Sequence, residues 1–181
     1  GTTLVRIEGE AAHYCPNETG CPPQQKGRIE HFVSRKAMNI DGLGSETIAM
    51  LYDRGLIHDV ADLYTLTVGK LARMERLGEK SAQNIVDAVK KSTEVPFERV
   101  LFALGIRYVG ETVAKKLAAA FGSMQALSVA KREELTAVDE IGERIADSLI
   151  EYFDDMRNMQ LIERLTSFGV KMEGKVARAE L

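Results

Sequence analysis

The chain has 181 residues, of which 45% are hydrophobic, the level of a globular protein that buries a core, so disorder is excluded. Two cysteines are too few for a disulfide scaffold, and no apolar run approaches the roughly 20 residues that cross a bilayer. The formal charge of -3 excludes a global basic field, so any contact with nucleic acid must be local. Because the start GTTLVRIEGE also lacks the apolar core of a signal peptide, we expect a cytosolic protein.

The first 23 residues differ in composition from the rest. TLVRIE and AAHYC have the pattern of two short strands joined by a Glu-Gly turn, and CPNETGCPP is rich in turn residues. From Gln24 onward the apolar residues follow a helical period, which predicts a first helix that joins this head to the body. Its predicted apolar face consists of Ile29, Phe32, Val33 and Ala37.

Positive charge is concentrated where this first helix is predicted. The stretch between Pro22 and Ile40 carries four basic residues against Glu30 alone, which is four minus one, or plus three. We interpret the stretch as a candidate basic patch. Its basic residues are Lys26, Arg28, Arg35 and Lys36.

Four glycines repeat at a nearly constant spacing along the helical body. They are separated by 34, 32 and 32 residues, each follows an apolar residue, and each precedes a segment with helical period. These segments begin SETIAML, EKSAQNI, ETVAKKL and ERIADSL, and further amphipathic segments lie between them. The pattern predicts an all-α fold in which each repeat holds a helix, a tight turn, a second helix and a linker helix. The four glycines are Gly44, Gly78, Gly110 and Gly142.

A helix that starts directly after an apolar-Gly turn can bind an anion. Its first backbone N-H groups have no partner within the helix, and the helix dipole is positive at this end. Glycine lets a phosphate approach the backbone closely and can adopt positive φ. One such turn is more often a simple turn device, but four turns in register favour a surface that follows the phosphates of a duplex.

Charged side chains flank these turns. Lys80, Lys115 and Arg144 fall in or near the first turns of the second, third and fourth turn-helices, and Arg107 precedes the third turn. Each of them could meet the same phosphate or be ordinary surface charge. Acidic residues occupy the first turns as well, where they favour the helix dipole but repel phosphate, so we expect them to point aside. They are Glu46, Glu79, Glu111 and Glu143.

The turns resemble helix-hairpin-helix motifs, in which an apolar-Gly-apolar-Gly loop joins two helices and binds DNA phosphates. Asp41-Gly42-Leu43-Gly44 matches this motif fully. The other three turns have Arg76, Tyr108 and Glu140 in place of the first glycine, so we expect them to bind phosphate less well, the Glu140 turn least of all. The predicted DNA-binding residues are Gly42, Gly44, Gly78, Lys80, Arg107, Gly110, Lys115, Gly142, Arg144, Arg35 and Lys36.

Beyond the motif, the runs HFVSRKAMNIDGLG, VADLYTLT, LGEKSAQNI, LFALGIRYVGETVAKKL and FGSMQAL resemble the central and C-terminal part of bacterial NAD-dependent DNA ligases. The resemblance preserves order and spacing over about residues 1–172. It implies half of a four-cysteine zinc finger at 1–23 and four helix-hairpin-helix repeats at 24–172. We expect residues 173–181 to form a flexible tail.

The resemblance also implies cofactors and partners. The parent ligase transfers adenylate from NAD to a lysine and then to the 5' phosphate of a nick, and it seals the nick with magnesium. Its nucleotidyl-transfer domain lies ahead of the zinc finger, so we expect this chain to hold no catalytic residue and to be inactive alone. Its partners are nicked double-stranded DNA and the catalytic and oligonucleotide-binding domains of the parent. No membrane partner is expected.

Cys15 and Cys21 match the second cysteine pair of that family's zinc finger, while the first pair is missing from this sequence. A structural zinc normally has four protein ligands, and His13 on a short strand is an uncertain third. We therefore expect two zinc ligands here and poor or no zinc binding by the chain alone.

Three other functions remain open on the sequence. Tandem hairpins also dock DNA in nuclease and junction-binding subunits of other repair proteins. A glycosylase with a catalytic aspartate is a second possibility, and a helical protein-interaction array that binds no DNA is a third. The aspartates that a glycosylase could use are Asp139, Asp147, Asp154 and Asp155.

Overall fold

The computed structural model describes residues 5–6, 13–14, 22–74 and 77–174. Over these ranges the chain is helical apart from one pair of strands and an isolated bridge, which confirms the predicted all-α body. The strands β1 Val5–Arg6 and β2 His13–Tyr14 pair antiparallel and lie within the predicted head. The Glu-Gly turn between them and both cysteines lie outside the described residues. None of the described helices is long and apolar enough to cross a bilayer.

The four helices that the glycine spacing predicted begin where the sequence placed them, directly after the repeated glycines. Short helices occupy the predicted linker segments, and two of them are 3-10 helices, Val60–Thr65 and Ser92–Glu94. The α-helices are α1 Pro22–Val33, α2 Ser45–Asp53, α3 Val68–Ala72, α4 Glu79–Lys91, α5 Phe97–Ala103, α6 Glu111–Phe121, α7 Met124–Ser128, α8 Arg132–Thr136, α9 Glu143–Asp154 and α10 Met156–Ser167.

The helices form four hairpins, each made of two helices joined by an apolar-Gly turn. Hairpin 1 pairs α1 with α2, hairpin 2 pairs α3 with α4, hairpin 3 pairs α5 with α6, and hairpin 4 pairs α8 with α9. One continuous cluster of buried apolar side chains runs through all of them, from Ile29 in α1 to Val170 after α10. Because each hairpin is amphipathic, none of them buries its apolar face without its neighbours.

The first helix is shorter at its end than the sequence predicted. It begins at Pro22, because proline is tolerated in a first helical turn, and it ends at Val33. Asn39 then adopts a φ of 53°, and the Met38 amide donates to the Phe32 carbonyl, which closes the helix end. Ala37 therefore lies in the turn and not in the helix, although it is fully buried as predicted.

The last described helix, α10, packs on the 3-10 helix Val60–Thr65. The guanidinium of Arg164 donates to Asp62 at 2.8 Å and to Asp59 at 3.2 Å, beside the 3-10 helix Val60–Thr65. Burial raises the pKa of Asp59. Burial acts in the same direction on Asp62, but hydrogen bonds from Arg164 and from the His58 backbone outweigh it and lower the pKa of Asp62. This contact joins α10 to the 3-10 helix that follows hairpin 1.

Residues 173 and 174, the first two of the predicted flexible tail, contact the end of α6. Gly122 ends α6 in the left-handed conformation, and the chain beyond α10 returns to the backbone there. Glu173 forms an antiparallel bridge with Ser123, and the Gly174 amide donates to the Gly122 carbonyl at 2.8 Å. Residues 175–181 lie outside the described residues.

Candidate nucleic-acid interface

The four turn-helices share an N-terminus that no side chain caps. The N-cap of each is the repeated glycine, and no side chain accepts a hydrogen bond from the first turn of α2, α4, α6 or α9. Four other described helices begin with a side-chain cap, whereas α5, α8 and the 3-10 helix Ser92–Glu94 also lack one. What sets the four turn-helices apart is that an exposed glycine occupies each N-cap. The amides of the uncapped turns therefore remain available to an anion. The capping residues of the four capped helices are Asp59, Thr67, Ser123 and Asp155.

The repeated glycines do not use positive φ, contrary to expectation. Their φ values are -78°, -86°, -90° and -87°, an extended conformation that any residue can adopt. All four are exposed, and a Cβ added to any of them would meet no atom within 4 Å. Their contribution is therefore the absence of a side chain, which leaves the first helical amides open to a ligand.

The left-handed residue of each described turn lies two positions earlier, where the motif has its first glycine. Gly42 has a φ of 89°, and Tyr108 and Glu140 adopt the same region at 68° and 69°. Arg76 lies outside the described residues. Hairpins 3 and 4 thus keep the backbone of the full motif although their sequences lack its first glycine. Reduced phosphate binding by these hairpins stays a prediction.

We expect Glu140→Gly to stabilise the protein. A left-handed conformation costs a non-glycine residue about 1–2 kcal/mol, whereas the exposed ion pair of Glu140 with Lys116 at 3.6 Å contributes less. The midpoint of thermal unfolding should rise by about 2–4 °C. Calorimetry checks this, with Glu140→Ala as the control that removes the carboxylate and keeps a Cβ. A lower midpoint for the glycine variant would contradict it.

Hairpins 3 and 4 contact each other through equivalent residues. The Ser148 hydroxyl donates to the Arg107 carbonyl at 2.6 Å, and the Lys116 ammonium donates to the Asp139 carboxylate at 3.4 Å. Lys116 is equivalent to Ser148 and Arg107 is equivalent to Asp139, because each pair is 32 residues apart, like Gly110 and Gly142. The two reciprocal contacts relate the two hairpins by a pseudo-two-fold arrangement.

Two predicted DNA-binding arginines meet at this junction. The Arg107 guanidinium lies 5.1 Å from the ring centre of Tyr108, and the Arg144 guanidinium lies 5.4 Å from it. Arg107 belongs to the turn of hairpin 3, whereas Arg144 is the second residue of α9 in hairpin 4. The sequence placed them in separate turns, and the structure brings them to one aromatic ring.

The first-turn glutamates of hairpins 3 and 4 have cationic partners. Glu111 pairs with Lys36 at 3.5 Å, and Glu143 pairs with Arg132 at 3.1 Å. Because each carboxylate lies beside a cation, its repulsion of a phosphate is reduced. Glu46 and Glu79 are exposed.

The loop of hairpin 1 places its basic residues beside hairpin 3. The Arg99 guanidinium of α5 donates to the Arg35 carbonyl at 2.6 Å and to the Lys36 carbonyl at 3.4 Å. The side chains of Arg35 and Lys36 are exposed, and the Lys36 ammonium forms an ion pair with Glu111 at the start of α6. Two other predicted residues, Lys80 and Lys115, are exposed near the starts of their helices.

The aspartates that a glycosylase would need have other roles in the structure. Asp139 pairs with Lys116, Asp147 pairs with Arg132, and Asp155 caps α10. Asp154 is exposed at the end of α9. The described residues contain no group of three or more His, Cys, Asp or Glu that could hold a metal.

The single sequence did not identify Arg99 or Lys116 as parts of this face. Each of them contacts a residue at least 23 positions away in the sequence, so no local sequence pattern predicts these contacts. A comparison of the repeats at the 32-residue shift could have paired Lys116 with Ser148, because the two occupy equivalent positions.

Comparison with known families matches three segments of the chain. Residues 1–22 match the family described as NAD-dependent DNA ligase C4 zinc finger domain. Residues 34–91, which hold the turns of hairpins 1 and 2, match the SAM-like helix-hairpin-helix tandem, and residues 99–162, over hairpins 3 and 4, match the helix-hairpin-helix motif.

Curated relatives match the chain almost from end to end. Proteins named DNA ligase from Parabacteroides distasonis, Phocaeicola vulgatus and Bacteroides fragilis are 63%, 61% and 59% identical over 172, 173 and 172 residues. These matches cover 95%, 96% and 95% of this chain. They cover 26% of each relative, so the chain spans about a quarter of the length of the relatives it matches.

Proposed function

Because the chain is a zinc-finger and helix-hairpin-helix segment of the NAD-dependent DNA ligase family, we propose that it holds duplex DNA around a nick. It binds the phosphates of the backbone without reading base sequence. The observation that carries this proposal is the set of four glycine turns whose helix amides are uncapped and open to solvent. The related proteins are named DNA ligase, which makes a nicked duplex the appropriate substrate for the parent.

The hairpins supply position and charge to the parent ligase, not covalent chemistry. Backbone amides bind phosphate oxygens with little dependence on sequence, so the chain can grip any duplex. The exposed side chains of Arg35, Arg107 and Arg144 add positive charge to this face. Holding the DNA on both sides of a break lowers the entropic cost of aligning the ends for the catalytic domain. The eleven predicted DNA-binding residues, among them Gly42 and Lys115, are proposed to form this face.

The parent supplies the reaction and its cofactors. We propose NAD as the adenylate donor, magnesium in the sealing step, and a structural zinc in the finger that precedes hairpin 1. The chain contains two cysteines, Cys15 and Cys21, and a structural zinc site needs four ligands, so its own cysteines cannot complete the site. The catalytic and oligonucleotide-binding domains of the parent are its partners, and the bacterial cytoplasm is its place of action.

A salt series on a fluorescent nicked duplex tests the proposal. Affinity should fall steeply between about 50 and 200 mM salt, because each phosphate contact releases counterions. Gly44→Val and Gly110→Val should each weaken binding at constant fold, since a branched side chain there covers the helix amides but meets no protein atom within 4 Å of its Cβ. No duplex affinity at low salt, or variants that bind as well as wild type, would overturn the phosphate proposal.

The same variants in the parent ligase test the assignment to nick sealing. The enzyme should still take adenylate from NAD, because that step does not involve DNA, while it seals nicks more slowly at low DNA concentration. If sealing is unchanged although the chain alone binds DNA, the hairpins dock DNA for another purpose, as in a junction-binding scaffold.

A further inference from the structure

We propose that Tyr108 is a positioning residue that holds Arg107 and Arg144 as one two-guanidinium clamp on the DNA backbone, shared between hairpins 3 and 4. This inference rests on the proposed function and assigns a role to a residue that the motif would replace by glycine. The sequence alone treats the tyrosine as a weakening of the third turn. The clamp proposed here predicts instead that the tyrosine strengthens DNA binding.

The ring of Tyr108 is the element that the two arginines share. It is 44% exposed, and its centre lies 5.1 Å from the Arg107 guanidinium and 5.4 Å from the Arg144 guanidinium. Both separations are within the range of cation–π attraction. The two guanidiniums approach the ring from different hairpins, so the ring links a turn to the start of α9.

Two like charges would not gather at one place without an opposing attraction. Among the described residues, Arg132 pairs with the carboxylate of Glu143, and Arg164 pairs with that of Asp62. Within the described part of the chain, neither Arg107 nor Arg144 makes a salt bridge. The electron-rich ring face offsets their mutual repulsion without neutralising them. Their full charge therefore remains for an external anion.

The backbone conformation at position 108 would favour glycine, so the presence of tyrosine there indicates a role for its side chain. Tyr108 has a φ of 68°, a conformation that glycine adopts without strain and a tyrosine does not. Glu140 occupies the equivalent position of hairpin 4 at a φ of 69°, and its carboxylate is paired with Lys116. The two hairpins thus offer a matched comparison, with the same backbone strain but an aromatic ring in one and an acid in the other.

A phosphodiester is the ligand that suits this clamp. Guanidiniums bind phosphate through parallel N-H donors, and two that are already held in place lose little side-chain freedom on binding. The uncapped starts of α6 and α9 lie close to the clamp along the chain, since Gly110 follows Tyr108 by two residues and Gly142 precedes Arg144 by two. The clamp therefore acts on the backbone and leaves the bases unread.

Tyr108→Gly and Glu140→Gly should act on DNA binding in opposite directions. Both variants relieve left-handed strain, but only the first removes the ring. On a nicked duplex at low salt, Tyr108→Gly should weaken binding roughly tenfold, from the loss of two cation–π contacts. Glu140→Gly should bind as well as wild type or better. Tyr108→Phe should retain wild-type affinity, because the ring and not the hydroxyl holds the arginines.

A double-mutant cycle separates positioning from simple contact. Arg144→Gln should weaken binding roughly tenfold in the wild type, as the loss of a charged phosphate contact does. It should have a clearly smaller effect in the Tyr108→Gly background, where Arg144 is no longer held. Independent effects of the two changes, or a Tyr108→Gly variant that binds as tightly as wild type, would overturn the inference. A wild-type chain without duplex affinity would instead overturn the proposed function itself.

Discussion

Replacement of Gly44, Gly78, Gly110 and Gly142 together by aspartate is expected to abolish duplex binding without loss of stability. Aspartate is among the best N-cap residues, and it tolerates the extended backbone that all four glycines adopt. Its carboxylate would accept the free amides of the first turn and interact favourably with the helix dipole. The fourfold variant should be about 1 kcal/mol more stable than wild type.

The same carboxylates would occupy the place of the phosphates. Each site would lose its charge-assisted hydrogen bonds and gain a repulsive charge, so the fourfold variant should bind a nicked duplex at least about 100-fold more weakly at low salt. Anisotropy titration and thermal unfolding on the same samples measure both effects. Fourfold replacement of the same glycines by asparagine serves as the charge control, because asparagine caps helix amides as well as aspartate but adds no charge. Wild-type affinity in the fourfold aspartate variant would refute the amide sites.

Gly42→Ala is expected to have the largest effect of any single glycine substitution on folding. Gly42 has a φ of 89°, and a Cβ built on it would lie 3.0 Å from Cγ1 of Ile85 in α4. Ile85 is 1% exposed, so it cannot move aside without disturbing the core between hairpins 1 and 2. Left-handed strain and overpacking together should lower the free energy of unfolding by about 2–4 kcal/mol.

Urea denaturation of Gly42→Ala and Gly44→Ala measures this effect with a matched control. The two glycines lie in the same turn, yet the Gly44 position is extended and open, so its alanine variant should stay within about 1 kcal/mol of wild type. Equal destabilisation by both variants would show that the turn as a whole, and not the contact of Gly42 with Ile85, determines stability.

The sequence was sufficient for the repeated architecture because its signals are local and periodic. Each turn-helix starts directly after its glycine, so Ser45, Glu79, Glu111 and Glu143 could be placed without knowledge of the fold. The end of α1 was misplaced, because Ala37 continues the apolar period while Asn39 turns the backbone left-handed. Periodicity reports burial, and burial persists into a turn that packs against the core.

The sequence could indicate the individual residues of the candidate site, but not which of them lie together in space. Arg107 and Arg144 are 37 positions apart, and only the packing of hairpin 3 on hairpin 4 brings both to the ring of Tyr108. The role of the glycines was also inferred for a partly wrong reason. The left-handed conformation belongs to Gly42, Tyr108 and Glu140, and the repeated glycines contribute open space.

The extended, unobstructed backbone at the four repeated glycines has a consequence for protein engineering. A selection for thermostability alone would accept serine, threonine or aspartate at each of these positions, because nothing in the folded chain opposes them. An optimised variant would then melt at a higher temperature, while the proposed binding of duplex DNA would be weakened. Mutagenesis that aims to stabilise this protein should therefore keep the four glycines and replace residues with a strained backbone, such as Glu140.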